Sequence, residues 1–473
     1  MQKSNFSAFL GAFLVAVCSL LAACGGGGGG GDSGAAPPAP NPAVAAYGVQ
    51  PATCSIPDQR TWLKAYMADQ YFWNTNLGSG NDSAASMDAY FQSLLYTPAD
   101  RFSYTQSTTQ FTQFFAEGTR TGYGYSLAYA DAAQTVLQVR VVEPKSPVAA
   151  AGMVRGDTVV SIDGYSPSQI TSGALASVNT EGVTRSFTLR NASGTTRSFT
   201  VTSANYTLTP VLNASVLTAP NGAKVGYLAY QEFITSSASA LGNAFNTFRA
   251  AGVSELIVDL RYNGGGSVTT ARNLASMMGG SNLEGQVFAG LRFNAQNSAS
   301  NFNYNFTSST STLPAAPLEG LNRVFVITSG STASASELVI NSLKPFRNVI
   351  TIGAVTYGKP YGFQPRDACG ITYSAVNFDS VNAKGAGGYT SGLPATCAMS
   401  DDLSKQLGDP AERRIAAALS YIQTGACPPV AVNPDILQAS ARASSALGDG
   451  SASAGRRAEP AFGEVTPPAM LAD

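Results

Sequence analysis

The sequence predicts an α/β protein with a separate β-rich domain and a small helical region at its N-terminal side. Three observations carry this. From 206 to 428, short runs of valine, isoleucine, leucine and phenylalanine alternate with stretches of helical periodicity, the pattern of a sheet whose strands are joined by helices. From 119 to 205, strand-like runs follow one another through glycine turns. From 51 to 118, aromatic residues recur at three- and four-residue intervals.

The chain opens with Lys3, an apolar stretch from Phe9 to Ala23, and Leu21-Ala22-Ala23-Cys24. This reads as a secretory signal over 1–23. Its small residues before a cysteine resemble a bacterial lipobox, which implies cleavage before Cys24 and lipid on its thiol. The alternative is an ordinary signal peptide that contains a cysteine. Seven glycines, Gly25 to Gly31, begin a Gly/Ala/Pro-rich segment over 24–50 that suits a flexible tether. No other stretch is long and apolar enough to span a bilayer. The expected location is therefore the bacterial cell envelope, lipid-anchored. Glycine rather than aspartate after Cys24 resembles the outer-membrane sorting pattern of enteric lipoproteins. At the other end, 429–473 is rich in Ala, Ser, Gly and Pro, and a disordered tail is expected there.

Net charge is −1 and charged residues make up 12% of the chain. No basic stripe is present to neutralise phosphates, which argues against nucleic acid as a partner. Past the anchor, Cys54, Cys369, Cys397 and Cys427 suit two disulfides in an exported protein, with three possible pairings. The expectation is Cys369–Cys397 as a local closure and Cys54–Cys427 as a tie between chain ends. Metal binding is the weaker reading, because the sequence has no histidine and no Cys-x-x-Cys. No metal and no cofactor are expected.

In region 51–118, Trp62, Leu63, Tyr66, Met67, Tyr71, Phe72 and Trp73 form one apolar helical face, and a second helix is expected over 87–95. These aromatics suit a core better than a ligand cage. In region 119–205, Gly122-Tyr123-Gly124-Tyr125 precedes alternating residues 136–142. A short helix with a closing glycine follows at 146–153, then a turn, a strand and another turn at 155–164. The run resembles a PDZ domain. That resemblance implies a groove that takes an extended peptide as an added strand, its terminal carboxylate held by backbone amides of Gly122, Tyr123, Gly124 and Tyr125. A small β-domain with tight turns is the bland alternative.

In region 206–428, strands are expected at 224–230, 255–260, 323–328 and 349–355, and helices at 236–251, 269–278, 335–343 and 410–423. The chemistry sits at the junctions. The strand at 323–328 runs into Ser329-Gly330-Ser331-Thr332, and a helix opens near Ala335. A serine at such a corner lies over free helix N-terminal amides, which favour developing negative charge. Ordinary N-capping explains the same residues. Asp259-Leu260-Arg261-Tyr262-Asn263-Gly264-Gly265-Gly266 is a second strand-to-helix junction. A phosphate loop fails there for want of Gly-Lys-Ser/Thr, and an oxyanion hole uses the glycines better. The third segment, Thr356 to Gln364, carries Lys359, the lone lysine between Lys344 and Lys384. With no histidine anywhere in 473 residues, Ser-His and Cys-His mechanisms are excluded, and a serine nucleophile would need another base such as lysine.

Together these segments resemble the C-terminal processing (tail-specific) serine proteases. Ser334-Ala335-Ser336-Glu337 and Gly358-Lys359, 25 residues from serine to lysine, match the family's motifs. The family's Asp-Leu-Arg-x-Asn-Pro-Gly-Gly stands here as Asp259 to Gly266 with Gly264 in place of proline. Gly226 to Phe233 resembles its entering strand. The resemblance implies a ClpP/crotonase-like catalytic domain, with Ser334 as nucleophile and Lys359 as general base. It gives Gly265 and Ala335 as oxyanion-hole amides. A glutamine often follows the lysine by four residues in the family. Here that position is Phe363 and Gln364 comes one later, as the candidate that orients Lys359.

A free lysine, with a pKa of about 10.4, is neutral in only about 4 of 10,000 molecules at pH 7, so such a base needs its pKa lowered at a cost of roughly 4 kcal/mol. Burial beside Tyr357, Tyr361 and Phe363, away from carboxylates, would supply this. Glu337 is expected to serve the helix and to lie away from the Ser334 mouth. The function these residues imply is a Ser/Lys endopeptidase acting on protein or peptide substrates with extended C-termini. The alternatives are a catalytically silent peptide-binding lipoprotein on the same fold and a non-proteolytic amidase or esterase.

Overall fold

The computed structural model describes residues 48–131, 133–429, 461–463 and 469–472. The signal peptide, Cys24 and nearly all of the tether expected from the sequence lie outside the described residues.

Helix α1 (Ile56–Gln70) begins where the Ser55 side chain accepts from the Asp58 amide, with proline in its first turn. Helix α2 (Met87–Leu94) begins in the same way at Ser86. Their apolar faces bury Trp62, Leu63, Tyr66, Met67, Tyr90 and Phe91. Strand β1 (Tyr104–Ser107) and helix α3 (Thr108–Thr112) follow. The same core contains Phe363, Tyr373, Val376 and Leu471, so this region shares its interior with the far end of the chain.

Next comes β2 (Thr119–Gly122), then an antiparallel sheet. It is built from β3 (Tyr125–Tyr129), β4 (Leu137–Val142), β5 (Thr158–Ile162), β6 (Thr184–Arg190) and β7 (Thr196–Thr202), with short helices α4 (Pro147–Ala150) and α5 (Pro167–Thr171) between strands. Strand β8 (Ala204–Thr207) returns to pair with β2. Tyr123, Tyr125, Leu127, Val139, Val148 and Phe187 are in this unit's core. Gly124 has φ +88°, and a Cβ there would lie 2.0 Å from the Ser146 side chain, so the turn requires glycine.

The remainder is α/β. Strands β9 (Val211–Thr218) and β10 (Lys224–Tyr230) lead to α6 (Ala238–Ala251), β11 (Glu255–Asp259), β12 (Gly265–Ser267) and α7 (Val268–Gly279). Then come β13 (Val287–Phe293), β14 (Phe302–Asn305), β15 (Arg323–Thr328), α8 (Ala335–Leu343) and β16 (Asn348–Gly353). Four short strands follow, β17 (Tyr361–Phe363), β18 (Arg366–Ala368), β19 (Ile371–Ser374) and β20 (Val376–Val381), and then β21 (Cys397–Ala398) and α9 (Arg413–Thr424). The central sheet has the order β21-β16-β15-β11-β10-β9, parallel except for β9. Its inner strands β10, β11, β15 and β16 are largely apolar on both faces because both are covered. Leu228, Val258, Val324 and Val326 face α6, α7 and α8. Tyr227, Ile257, Phe325 and Ile350 face α9.

Two expectations are corrected. The disulfides are Cys54–Cys369 and Cys397–Cys427. The shared core brings the segment before α1 against the β18–β19 turn, where the Gln50 side chain also donates to the Asp367 carbonyl at 2.7 Å. Packing of α9 on the sheet brings Cys427 to β21. The tail is not without structure either. Strands β22 (Ala461–Gly463) and β23 (Ala469–Leu471) join two sheets, giving the orders β22-β3-β4-β5-β6-β7 and β12-β23-β17-β20-β13-β14. The tail's polar average masks a local Ala-Met-Leu-Ala run, in which Met470, Leu471 and Ala472 are buried.

Candidate active site

Three strand ends converge. The turn after β15 is stitched to the turn after β11. The Thr332 hydroxyl donates to Leu260 O at 2.7 Å, and the Ala333 amide and Ser336 hydroxyl both donate to Asn263 O at 3.1 Å. The Tyr357 amide donates to Thr332 O at 2.9 Å, which brings in the third segment.

Ser334 ends the turn with φ +61° and ψ −114°, a conformation that costs an L-residue about 1–3 kcal/mol and persists only when its surroundings impose it. The residue is fully buried, and its hydroxyl finds no hydrogen-bond partner among the described residues. The Ser334 amide donates to Glu337 Oε2 at 2.9 Å, and the Lys359 amide donates to the same oxygen at 2.8 Å. Glu337 Oε1 accepts from the Gly358 amide at 2.7 Å and the Thr356 hydroxyl at 2.5 Å. One buried carboxylate thus joins the serine and lysine backbones. This corrects the expectation for Glu337, which serves the helix start but also lies between the two candidate residues. Burial raises its pKa against the opposing hydrogen bonds from Thr356, Lys359, Ser334 and Gly358. Since every described partner donates, the ionised form is the one this geometry suits.

Lys359 is fully buried, with Nζ 3.7 Å from the Phe363 ring centroid. Burial drives its pKa well below the ordinary lysine value, against the charges of Asp100 and Glu337, which raise it. The expected distance from carboxylates is therefore not kept, and desolvation prevails over two of them. Much of the dry surround comes from the N-terminal region. Phe102 packs against Tyr357 and Tyr361, and Phe72 and Trp73 against Tyr361. Arg101 donates to the carbonyls of Tyr357, Gly358 and Thr390, each at 3.2 Å, and its guanidinium lies 4.8 Å from the Tyr357 ring centroid. Asp100, Arg101 and Phe102 were not singled out from sequence, because no local motif marks them.

The other candidates are placed as follows. Gly265 does not present a free amide. Its N–H donates to Asn263 Oδ1 at 2.8 Å, which corrects its assignment as an oxyanion donor. The Ala335 amide opens α8, and the hydrogen bonds of the described residues give it no acceptor. The described hydrogen bonds of Gln364 are main-chain, its amide to Asn377 Oδ1 at 2.6 Å and its carbonyl from the Tyr66 hydroxyl at 3.4 Å, while Phe363 is the side chain against Lys359. Tyr123 and Tyr125 are buried in the β unit, and the Gly124 carbonyl accepts from Glu143 N at 2.9 Å.

That unit meets the site through arginines. Arg140 reaches the Ser331 hydroxyl at 3.3 Å, and Arg155 reaches the Tyr262 hydroxyl at 2.7 Å and Asp401 at 3.2 Å. Arg261, fully buried, pairs with Asp259 at 2.7 Å and with Asp401 and Glu412 at 2.8 Å. Burial alone would raise the Asp401 pKa, but Arg414, Arg261 and Arg155 hold it well below the carboxylate range.

The family model "Peptidase family S41" matches residues 224–370, which hold Ser334 and Lys359, and "Peptidase S41 N-terminal domain" matches residues 58–104. Both matches support peptidase family S41 for this chain. The chain is 26% identical over 276 residues to Carboxyl-terminal-processing peptidase 2, chloroplastic, of Arabidopsis thaliana, covering 56% of this chain and 51% of that protein. It is 27% identical over 251 residues to Carboxyl-terminal-processing protease of a Picosynechococcus strain, covering 52% and 56%. The match thus spans about half the length of these curated relatives. A crystal structure of an S41-type protein from Bacteroides fragilis aligns with a TM-score of 0.61 at 25% identity, covering 77% of this chain and 97% of that one. The S41 N-terminal match falls on the segment that supplies Asp100, Arg101 and Phe102 to the lysine pocket.

Proposed function

We propose that this S41 protein is a serine endopeptidase of the C-terminal processing type, with Ser334 as nucleophile and Lys359 as general base. One observation carries the reading. A strained, buried serine whose hydroxyl has no partner among the described residues and a buried lysine of lowered pKa are joined through a single carboxylate oxygen. Such a lysine takes the Ser334 proton as Oγ bonds to the substrate carbonyl carbon. The Ala335 amide donates to the resulting oxyanion. The tetrahedral adduct collapses with loss of the amine, which takes the proton back from Lys359. Water, deprotonated by the same lysine, then cleaves the acyl ester and restores the serine. In this reading Phe363 rather than Gln364 sets the position of the lysine head group.

The β unit is read as a PDZ domain that captures an extended or C-terminal segment at β3 and the 122–125 turn. The protein is read as an envelope protein anchored through Cys24. Ser334→Ala and Lys359→Ala should each abolish hydrolysis of an unfolded protein while leaving the thermal transition in place. Full activity in either variant would refute the dyad. A serine-directed probe separates the silent-scaffold alternative, which predicts no label on Ser334 between pH 6 and 10.

A further inference from the structure

Two pieces of the chain's C-terminal end lie on the surfaces that an incoming peptide would use. Strand β22 is added to the edge of β3, antiparallel, with Ala461 opposite Ala128, Phe462 opposite Leu127 and Gly463 opposite Ser126. It runs toward the 122–125 turn, so its direction is that of a peptide whose C-terminal side approaches that turn. Strand β23 then lies between β12 and β17, parallel to both. Gly265 faces Ala469, Gly266 faces Met470 and Ser267 faces Leu471, while Phe363 faces Leu471 from the other side. The Ala472 amide donates to Phe363 O at 3.1 Å.

The two walls of this slot belong to the candidate site. Strand β12 continues from the Asn263 turn, and β17 begins two residues after Lys359. Strand β23 also packs against α8, the helix that Ser334 opens. Successive side chains of a strand point to opposite faces. Accordingly Met470 is buried in the core beneath α6 to α8, and Leu471 in the core shared with the N-terminal region. Gly362 permits the approach, since a Cβ there would lie 2.8 Å from Met470 O and 2.1 Å from the Phe378 ring. Backbone pairing with alternate side chains buried is how a sheet edge or slot binds an extended peptide.

We infer that residues 461–463 and 469–472 are an internal ligand of the peptide track, which an external peptide must displace before it can bind. The inference rests on the reading of β3 and the β12/β17 slot as that track. A tethered ligand acts at an effective concentration in the millimolar range. A free peptide of equal intrinsic affinity, added at about 10 µM, is therefore at a disadvantage of roughly 100-fold.

The test uses the full chain carrying Ser334→Ala, so that nothing is cleaved, and a fluorescent peptide with the sequence of residues 459–473. Its affinity is read by anisotropy for this chain and for the same chain with Met470→Asp, which places a charge in the core and releases β23. A chain ending at residue 429 serves as the second variant if Met470→Asp does not fold. Released chains should bind at least 10-fold tighter, and amides of 126–128, Gly266 and 361–363 should exchange faster in them. Equal affinity in intact and released chains, including no binding to either, overturns the inference, as does unchanged exchange. The same pair with Ser334 intact reports on hydrolysis separately. A binding difference without hydrolysis in any chain would defeat the catalytic reading and leave this one standing.

Discussion

Replacing Glu337 by glutamine changes one of the two oxygens on which the candidate site is assembled. The four donors divide evenly, with the Thr356 hydroxyl and Gly358 amide on Oε1 and the Ser334 and Lys359 amides on Oε2. An NH2 group at the Oε2 position would face two amide donors. At the Oε1 position it can donate to the Thr356 hydroxyl, which already accepts from the Leu393 amide at 2.7 Å. The glutamine should take that second orientation and leave the buried Gly358 amide without an acceptor. One orphaned buried donor costs about 1–3 kcal/mol, and the two bonds kept at the other oxygen lose their charge assistance, about 1 kcal/mol each. Relief of the carboxylate's own desolvation offsets part of this, so we expect a loss of about 3 kcal/mol in urea unfolding at pH 7. A second readout concerns Lys359. The Glu337 charge raises the lysine pKa against the larger effect of burial, so its removal lowers that pKa further. The acid limb of kcat/KM should then move to lower pH in Glu337→Gln. A loss below about 0.5 kcal/mol, or an acid limb that stays or moves up, would refute the role given to this carboxylate.

Lys359→Met should stabilise the protein at pH 7, and by less as pH rises. The folded-state pKa lies well below the unfolded value, so the lysine's contribution to stability is whole above the unfolded pKa, about 10.4, and is lost as pH falls through the folded pKa. Urea titrations between pH 7 and 9.5 should show the gap narrow, and a constant gap would defeat the reasoning. Arg101→Ala removes the donor that holds the carbonyls of Tyr357, Gly358 and Thr390. We expect a kcat loss of about 10-fold, from roughly 1.4 kcal/mol of misplacement, with partial recovery in Arg101→Lys. An unchanged kcat would remove Arg101 from the site. Opening Cys54–Cys369 by paired serine substitutions should cost about 2 kcal/mol more than opening Cys397–Cys427, because the closed loops span 315 and 30 residues. Equal losses in calorimetry would count against that pairing.

Much of the fold was legible because the relevant patterns are local. The strands at 224–230 and 323–328 and the helix at 335–343 follow from apolar runs and periodicity confined to the element itself. The Ser334 turn, the glycines after Asn263 and Lys359 were marked by residue types that such junctions require. Where each partner of those residues lies was not legible. The resemblance put Gly265 in the oxyanion hole, but the Asn263 side chain takes its amide. The spacing of Glu337 placed it on a helix, but not under the Lys359 backbone. The aromatics at 62–73 announced a core, but not that Phe72 and Trp73 would reach across the chain to Tyr361.

By itself, then, the sequence determined the alternation of strands and helices, the exclusion of any histidine-based mechanism, and the serine and lysine that remain candidates. Only the tertiary structure decided which carboxylate joins them, which cysteines pair, and that two short pieces of a polar tail become strands. The physical reason is range. Periodicity and turn chemistry act over a few residues, whereas a hydrogen-bond partner hundreds of residues away is fixed by how the cores close. Composition averaged over a tail cannot show that one Met-Leu pair finds two cores to enter.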